Sequence, residues 1–219
     1  MTERPGPSAY NARSQLIRLA AAALVVGVSL LVLWQAGVIF QSDAASVDDG
    51  VSVQPATVLS ETPGGSSRAV GLDEGNLAPD FEFSTFDGER MRLSDFRGRA
   101  VLLNFWATWC GPCRIELPDL EALLRQHTSD GLAVIAVNSG EKFGPANSYI
   151  KEIGVELTAW AYDPNGAVSR RYAVPGLQGL PFSYFIDANG VVRRVIVGQM
   201  SPKVMEAGVA EMLVAAQAR

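Results

Sequence analysis

Residues 105–113 have the sequence FWATWCGPC and contain both cysteines of the 219-residue chain, Cys110 and Cys113. The apolar run 101–106 leads into this stretch, and its length and composition are typical of a buried β-strand. After Cys110, apolar residues recur at steps of three and four, which predicts an amphipathic helix over about 112–126. The apolar face of this helix is predicted to consist of Ile115, Leu117, Leu120, Leu123 and Leu124.

A strand-to-helix junction of this kind favours a reactive sulfur at Cys110. The first N–H groups of a helix have no intrahelical partners, and together with the helix dipole they stabilise negative charge. They therefore favour the thiolate over the thiol at Cys110. Cys113 follows one helical turn later, within disulfide reach, and is expected to be the more buried sulfur. The spacing predicts a dithiol that cycles with a disulfide.

Two other interpretations of the cysteine pair are a structural disulfide and half of a zinc site. A closed zinc site needs four ligands, whereas the chain has two cysteines and one distant histidine, His127. A disulfide across two residues closes a loop too small to constrain much of the unfolded chain. The sequence therefore favours a redox-active disulfide between Cys110 and Cys113, with no metal and no cofactor.

The segment 19–40 contains 22 residues without a formal charge. At about 1.5 Å per residue it spans roughly 33 Å, which is enough to cross a bilayer core. Arg13 and Arg18 precede it, so residues 1–18 are predicted to be cytoplasmic and the rest of the chain extracytoplasmic. The alternative is a cleaved signal peptide with a weak cleavage site at 42–44. The longer apolar run favours a retained single-pass anchor in the cell membrane.

The segment 41–76 is rich in Ser, Gly, Pro and acidic residues and contains no aromatic residue. Such a composition buries too little apolar surface to offset ordering entropy, and it predicts a disordered linker. The segment has a net charge of −5, compared with +2 for 1–40 and −2 for 77–219. No basic stripe is present, and the sequence therefore indicates no nucleic-acid partner.

Residues 77–219 are predicted to form one α/β domain. The run 78–83 alternates apolar and polar residues, and the Asp-Gly pair at 87–88 indicates a β-hairpin. The apolar runs 101–107 and 132–138 flank the predicted helix. A strand–helix–strand unit of this length makes a parallel pair with a right-handed crossover.

The stretch FWATWCGPC resembles the active-site sequence of thioredoxin-like proteins, and more narrowly that of the membrane-anchored TlpA/ResA/CcmG group of thiol–disulfide oxidoreductases. The resemblance extends from about Leu77 to the C-terminus. The sequences APDF at 78–81 and LSDFRGR at 93–99 resemble the N-terminal extension of that group. The resemblance implies an α/β thioredoxin-like fold, in which helices flank a central mixed sheet and an N-terminal β-hairpin extension is added.

The resemblance also implies roles for residues outside the cysteine pair. A glutamate in a matching Val-Asn-x-Gly-Glu sequence lies near the dithiol in the ResA-like proteins, which gives Glu141 a role in proton transfer. A cis-proline packs against the sulfurs in thioredoxin-like proteins, and here it corresponds to Pro181. The family often has threonine after this proline, whereas this chain has Phe182. The catalytic residues are thus predicted to be Cys110, Cys113, Glu141 and Pro181, and the substrate-binding residues Trp106, Trp109, Gly111, Pro112 and Leu180.

The Gly-Pro pair between the cysteines resembles that of the reducing members of the group, so the protein is expected to reduce disulfides in protein substrates. An integral-membrane thiol protein is the expected electron donor. Many members of the group reduce apocytochrome c thiols before haem attachment, which makes cytochrome c maturation the expected process.

Two rival functions come from other classes of protein. A peroxiredoxin-like thiol peroxidase requires threonine three residues before the reactive cysteine, whereas this chain has Ala107 there and Thr108 one residue later. A non-enzymatic copper-handling assembly factor usually has more widely spaced cysteines and an added histidine. Peroxide-dependent thiol consumption would favour the peroxidase, and retention of stoichiometric copper after dialysis would favour the assembly factor.

Overall fold

The computed structural model describes residues 53–59, 68–176 and 179–217. The predicted cytoplasmic N-terminus 1–18 and the predicted membrane anchor 19–40 lie outside the described residues. Across the three described ranges, no helix combines the length and the apolar character needed to cross a bilayer. The anchor and the localisation that depends on it therefore stay predictions.

The centre of the domain is a five-stranded mixed sheet, accompanied by a three-stranded sheet. In chain order the strands are β1 (Thr57–Val58), β2 (Phe81–Ser84), β3 (Arg90–Arg92), β4 (Val101–Trp106), β5 (Ala133–Ser139), β6 (Ala159–Asp163), β7 (Phe182–Ile186) and β8 (Val192–Val197). The large sheet has the order β6-β5-β4-β7-β8. Strands β4, β5 and β6 are parallel, and β7 is antiparallel to both β4 and β8. The predicted parallel pair and fold class are confirmed.

Helices cover both faces of the large sheet. They are α1 (Gly111–His127), α2 (Phe143–Ile153), α3 (Ala167–Tyr172) and α4 (Pro202–Gln217). Successive residues of a strand point to opposite faces. Leu102 of β4 accordingly joins the cluster with α1 and α4, whereas Leu103 joins the cluster with α3 and the small sheet. Every residue of β4 is buried between the two clusters.

The small sheet has the order β1-β2-β3 and contains the predicted hairpin, β2–β3. Strand β1 pairs with β2 although it lies within the segment 41–76, which was predicted to be a disordered linker. Ala56 is buried, and its N–H donates to the carbonyl oxygen of Tyr162 at 3.0 Å. The prediction is wrong for 53–59. Composition averages over a whole segment, whereas a short strand needs only a few residues and a free sheet edge.

The prediction of disorder is also wrong for 68–76. The N–H of Gly71 donates to the carbonyl oxygen of Leu77 at 2.9 Å, and the N–H of Gly75 donates to that of Val192 at 2.8 Å. The second bond joins this segment to β8, which is more than 100 residues further along the chain. Hydrogen bonds to so distant a partner leave no local pattern in the sequence.

Gly208 provides a test of how closely α4 packs on the sheet. A methyl group at this position would overlap the ring of Phe185 on β7, which is fully buried. Overpacking a closed core usually costs about 1–3 kcal/mol, so Gly208→Ala is expected to lower the free energy of unfolding by that amount. The free energy is measured by urea denaturation.

Gly144, within α2, is the control because an added methyl group there would have no heavy atom within 4 Å, its chain neighbours and its own helix backbone aside. Gly144→Ala is expected to change the free energy of unfolding by less than about 1 kcal/mol, because the helix preference of alanine is opposed by the contact of its Cβ with the ring of Pro145. Equal stabilities of the two variants would contradict the close contact between α4 and β7.

Candidate active site

The two cysteines form a disulfide at the start of α1. Cys110 is the N-cap residue of the helix, and its sulfur accepts a hydrogen bond from the backbone N–H of Cys113 at 3.2 Å. Cys113 is fully buried and Cys110 is 4% exposed. In the dithiol form, a hydrogen bond from this N–H to the Cys110 sulfur stabilises the Cys110 thiolate. The predicted strand-to-helix placement of the pair is confirmed.

The rim of the disulfide is exposed and partly apolar. Trp109 is 70% exposed and Ile115 is 62% exposed, and both Gly111 and Pro112 are exposed. Ile115 was predicted to lie on the buried face of the helix, and this prediction is wrong. The helix begins at Gly111 and turns its face with Leu117 toward the sheet, which leaves Ile115 outside.

Trp106 was predicted to belong to the substrate-binding rim, and this prediction is also wrong. Its side chain is fully buried, with ring centroids 5.2 Å from Trp160 and 5.8 Å from Tyr149. The reason is the alternation of side chains along β4, which places Trp106 on the same face as Leu102, beneath α1. Trp109 lies beyond the end of the strand and is free of this alternation.

The Leu180–Pro181 peptide bond is cis, as the resemblance implied. Pro181 is buried directly before β7, and its carbonyl oxygen accepts a hydrogen bond from the N–H of Gly198 at 2.8 Å. Leu180 is half-buried and packs against both core clusters. Phe182, which replaces the more usual threonine, stacks on Phe105 with ring centroids 4.4 Å apart.

A groove of about 480 Å³ extends from the rim of the disulfide. Its lining includes Trp109 next to Cys110, Leu180 next to the cis-proline, and Phe182. Arg170 also lines the groove, and among its described lining residues this is the one with a charged side chain. The groove is lined mostly by apolar and small residues, and its volume lies in the range of ligand-binding clefts.

Glu141 follows the end of β5, where the sequence places it. Its carboxylate accepts hydrogen bonds from the N–H of Thr108 at 2.8 Å, from the Thr108 hydroxyl at 2.5 Å and from Asn138 Nδ2 at 2.7 Å. Thr108 lies two residues before Cys110, so Glu141 fixes the turn that carries the first cysteine. Its role in proton transfer stays a prediction.

Glu116 is a site residue that sequence reasoning missed. Its side chain is fully buried; Oε1 accepts a hydrogen bond from Asn104 Nδ2 at 2.7 Å and Oε2 accepts one from the N–H of Met200 at 3.0 Å. Burial raises the pKa of Glu116 from 4.5 to about 7, against the opposing effect of these two hydrogen bonds. Residues three apart on a helix share a face, so this carboxyl group is a neighbour of Cys113.

A signal for Glu116 was present in the sequence. Cys113, Glu116, Leu117 and Leu120 recur at steps of three and four, so a carboxyl group on the buried face of the helix was foreseeable. Ile115 was instead predicted to lie on that face, and no role was predicted for Glu116.

The alternative of half a zinc site does not fit this geometry. His127 ends the helix that begins next to Cys110, about 20 Å from Cys113 at 1.5 Å per residue. Its ring nitrogens contact Asp130 at 2.8 Å and Glu206 at 2.9 Å. Across the described part of the chain, no group of three or more His, Cys, Asp and Glu side chains is arranged to hold a metal ion.

Comparison with known families gives a match over residues 75–195 to the AhpC/TSA family. The matched range covers more than half of the chain and includes the disulfide and the cis-proline. The chain belongs to the AhpC/TSA family.

Relatives within this thioredoxin-like family carry related names. The thioredoxin-like protein YneN of Bacillus subtilis is 39% identical over 146 residues, which are 64% of this chain and 81% of YneN. The thiol–disulfide oxidoreductase ResA of Geobacillus thermodenitrificans is 36% identical over 127 residues, 58% of this chain and 71% of ResA. A thiol:disulfide interchange protein of the thioredoxin family from Chlorobium tepidum superposes with a TM-score of 0.55 at 30% identity, covering 64% and 98% of the two chains.

The predicted resemblance to the TlpA/ResA/CcmG type is confirmed by these relatives and by the thioredoxin-like architecture. The cysteine pair predicted from the sequence is present as a disulfide. The protein is a thiol–disulfide oxidoreductase of the ResA type.

Proposed function

We propose that this oxidoreductase reduces disulfide bonds in proteins on the extracytoplasmic side of the cell membrane. The observation that carries the proposal is the position of Cys110 at the N-cap of α1, with its sulfur hydrogen-bonded to the N–H of Cys113 and joined to the Cys113 sulfur. Trp109, Pro112 and the adjacent groove are the surface on which a substrate segment docks.

The reaction begins from the dithiol form of the protein. The Cys110 thiolate attacks one sulfur of the substrate disulfide, so that a mixed disulfide forms while the substrate S–S bond breaks. The other substrate sulfur leaves as a thiolate and takes a proton from solvent. Cys113 then gives its proton to Glu116, and its thiolate attacks the Cys110 sulfur. The second substrate sulfur leaves, and two electrons have passed from the protein to its substrate.

Glu116 supports the second half of this reaction. A carboxylate beside Cys113 disfavours a second negative charge there, so Cys113 stays a thiol until its proton moves to Glu116. The reducing direction is supported by the Gly-Pro pair between the cysteines, which resembles that of the reducing members of the group.

The same proposal includes the membrane. The segment 19–40 anchors the chain, and an integral-membrane thiol protein returns two electrons to the Cys110–Cys113 disulfide after each turnover. The uncharged segment follows Arg13 and Arg18 and precedes several acidic residues, and this distribution of charge supports the arrangement. Disulfide-bearing proteins, with the cysteines of apocytochrome c among them, are the proposed substrates.

The test is to trap the mixed disulfide. In membranes that contain full-length Cys113→Ala, the first attack proceeds but the resolving thiol is absent, so substrates stay linked to Cys110. We expect adducts that dithiothreitol releases, with partners whose linked residue is a cysteine. Cys110→Ala is the matched control and captures none. Absence of adducts with Cys113→Ala, or equal capture by the control, would contradict the proposed function.

A further inference from the structure

Asn104, in the middle of β4, contacts Glu116 from within the core. Its side chain is fully buried, and its Nδ2 donates both to Glu116 Oε1 at 2.7 Å and to the Ser183 hydroxyl at 3.0 Å. Its Oδ1 has no hydrogen-bond partner. Buried side-chain oxygens are usually paired, so an unpaired one beside a buried carboxyl group requires an explanation.

The amide group of Asn104 fits this place in two orientations. Rotation by 180° exchanges the amide oxygen and nitrogen with almost no change in packing. In one orientation Asn104 donates to Glu116, which suits the carboxylate. In the other it accepts from Glu116, which suits the protonated acid. After the rotation Nδ2 instead of Oδ1 lacks a partner, so the rotation has a cost that the hydrogen bond from the protonated acid has to offset.

Ser183, on the neighbouring strand β7, is suited to both orientations. A serine hydroxyl both donates and accepts and rotates freely. It accepts from Nδ2 in the observed orientation, and it donates to Oδ1 after the rotation. The N–H of Met200, by contrast, donates to Glu116 Oε2 in a fixed direction.

We propose that Asn104 is a positioning residue whose amide rotates with the protonation of Glu116, so that both charge states of this carboxyl group are hydrogen-bonded inside the core. The inference rests on the proposed function, in which Glu116 takes and returns the Cys113 proton. The rotation of the Asn104 amide allows the buried carboxyl group of Glu116 to change its charge without a water molecule entering the core.

The surroundings of Glu116 are otherwise almost free of charge. Asn104 on β4, Ser183 on β7 and the Met200 N–H are neutral. Asp119 on α1 is the charged group that acts on Glu116 by charge, and it disfavours the carboxylate. Cys113, on the same helix face, titrates only in the dithiol form of the protein. A pKa of Glu116 near neutrality agrees with a site in which neither charge state is strongly favoured.

The test observes the amide directly in the full-length protein in its disulfide form. The side-chain amide of Asn104 and the carboxyl carbon of Glu116 are followed by NMR as the pH changes, with Glu116→Gln used to assign the carboxyl resonance. We expect the amide protons of Asn104 to exchange their NOE partners at the midpoint of the Glu116 titration. Unchanged NOE partners across the titration would overturn the inference.

Variants provide the second arm. Asn104→Leu removes the stronger, charge-assisted hydrogen bond to the carboxylate, so Glu116 is expected to become about fivefold or more weaker as an acid. Ser183→Ala removes one partner from both orientations and is expected to change the acidity of Glu116 less than about twofold. An acidity within twofold of wild type in Asn104→Leu would also overturn the inference.

Asn138 is the matched control because it is another buried asparagine on the sheet. Its Nδ2 donates to Glu141 at 2.7 Å, and its Oδ1 has no partner. Its amide is expected to keep its NOE partners while Glu116 titrates. None of these measurements involves turnover. A failure of trapping with Cys113→Ala would therefore contradict the proposed function while leaving the rotation of Asn104 to be decided by NMR.

Discussion

Cys110→Ser is expected to lower the rate of protein-disulfide reduction by at least about 1000-fold, because the hydroxyl group that replaces the thiolate is not a nucleophile at neutral pH. The sulfur of Cys110 lies at the N-cap of α1, where the hydrogen bond from the Cys113 N–H stabilises its thiolate. Serine preserves the cap and the fold, so the loss would come from the chemistry alone. The rate is measured with the dithiol form and a disulfide-bearing protein in excess.

Cys113→Ser is the matched control, since it keeps the attacking sulfur and loses the resolving one. It is expected to form one equivalent of mixed disulfide at a rate near that of the wild type and then to stop. Disulfide reduction by Cys110→Ser at more than a tenth of the wild-type rate would contradict the assignment of Cys110 as the nucleophile. Rapid consumption of peroxide by the wild type, lost in Cys110→Ser, would instead favour the peroxidase.

Much of the fold was predictable because local patterns and the topology agree. The run before Cys110, the helix after it and the next apolar run correspond to β4, α1 and β5, which form a parallel strand–helix–strand unit. The hairpin β2–β3 was marked by its Asp-Gly turn. Strand β1 was missed because its stability comes from pairing with β2 and from the burial of Ala56, neither of which the local sequence shows.

The site was predictable where covalent and backbone geometry decide it, and less so where burial decides it. The disulfide and the cis bond before Pro181 follow from spacing and from the resemblance. The burial of Trp106 depends on which face of β4 the helix α1 covers. Glu116 was missed for a related reason, since its spacing from Cys113 and Leu120 indicates the buried face, but Ile115 was predicted to lie there instead.

Glu116 is expected to make the stability of the disulfide form fall as the pH rises from about 4.5 to about 7. Burial raises its pKa from 4.5 to about 7 in the folded protein, so the folded state holds this proton more tightly than the unfolded state. The resulting stabilisation is complete below the unfolded pKa and is lost as the pH rises through the folded pKa. A pKa difference of this size corresponds to about 3 kcal/mol.

Glu116→Gln removes the titrating group but keeps a side chain of the same shape, and Asn104 can turn its amide to accept from the new one. The free energy of unfolding of this variant, measured by urea denaturation from pH 4.5 to pH 8, is expected to lack the fall of about 3 kcal/mol that is expected of the wild type. Glu141→Gln is the matched control and should retain that fall. The contributions of the other titrating groups to the pH dependence of the free energy of unfolding are shared by the wild type and the variants, so they cancel in the comparison. A fall of equal size in the wild type and in Glu116→Gln would contradict the assignment of the buried proton to Glu116. Loss of the fall in Glu141→Gln alone would assign this proton to Glu141, at the end of β5.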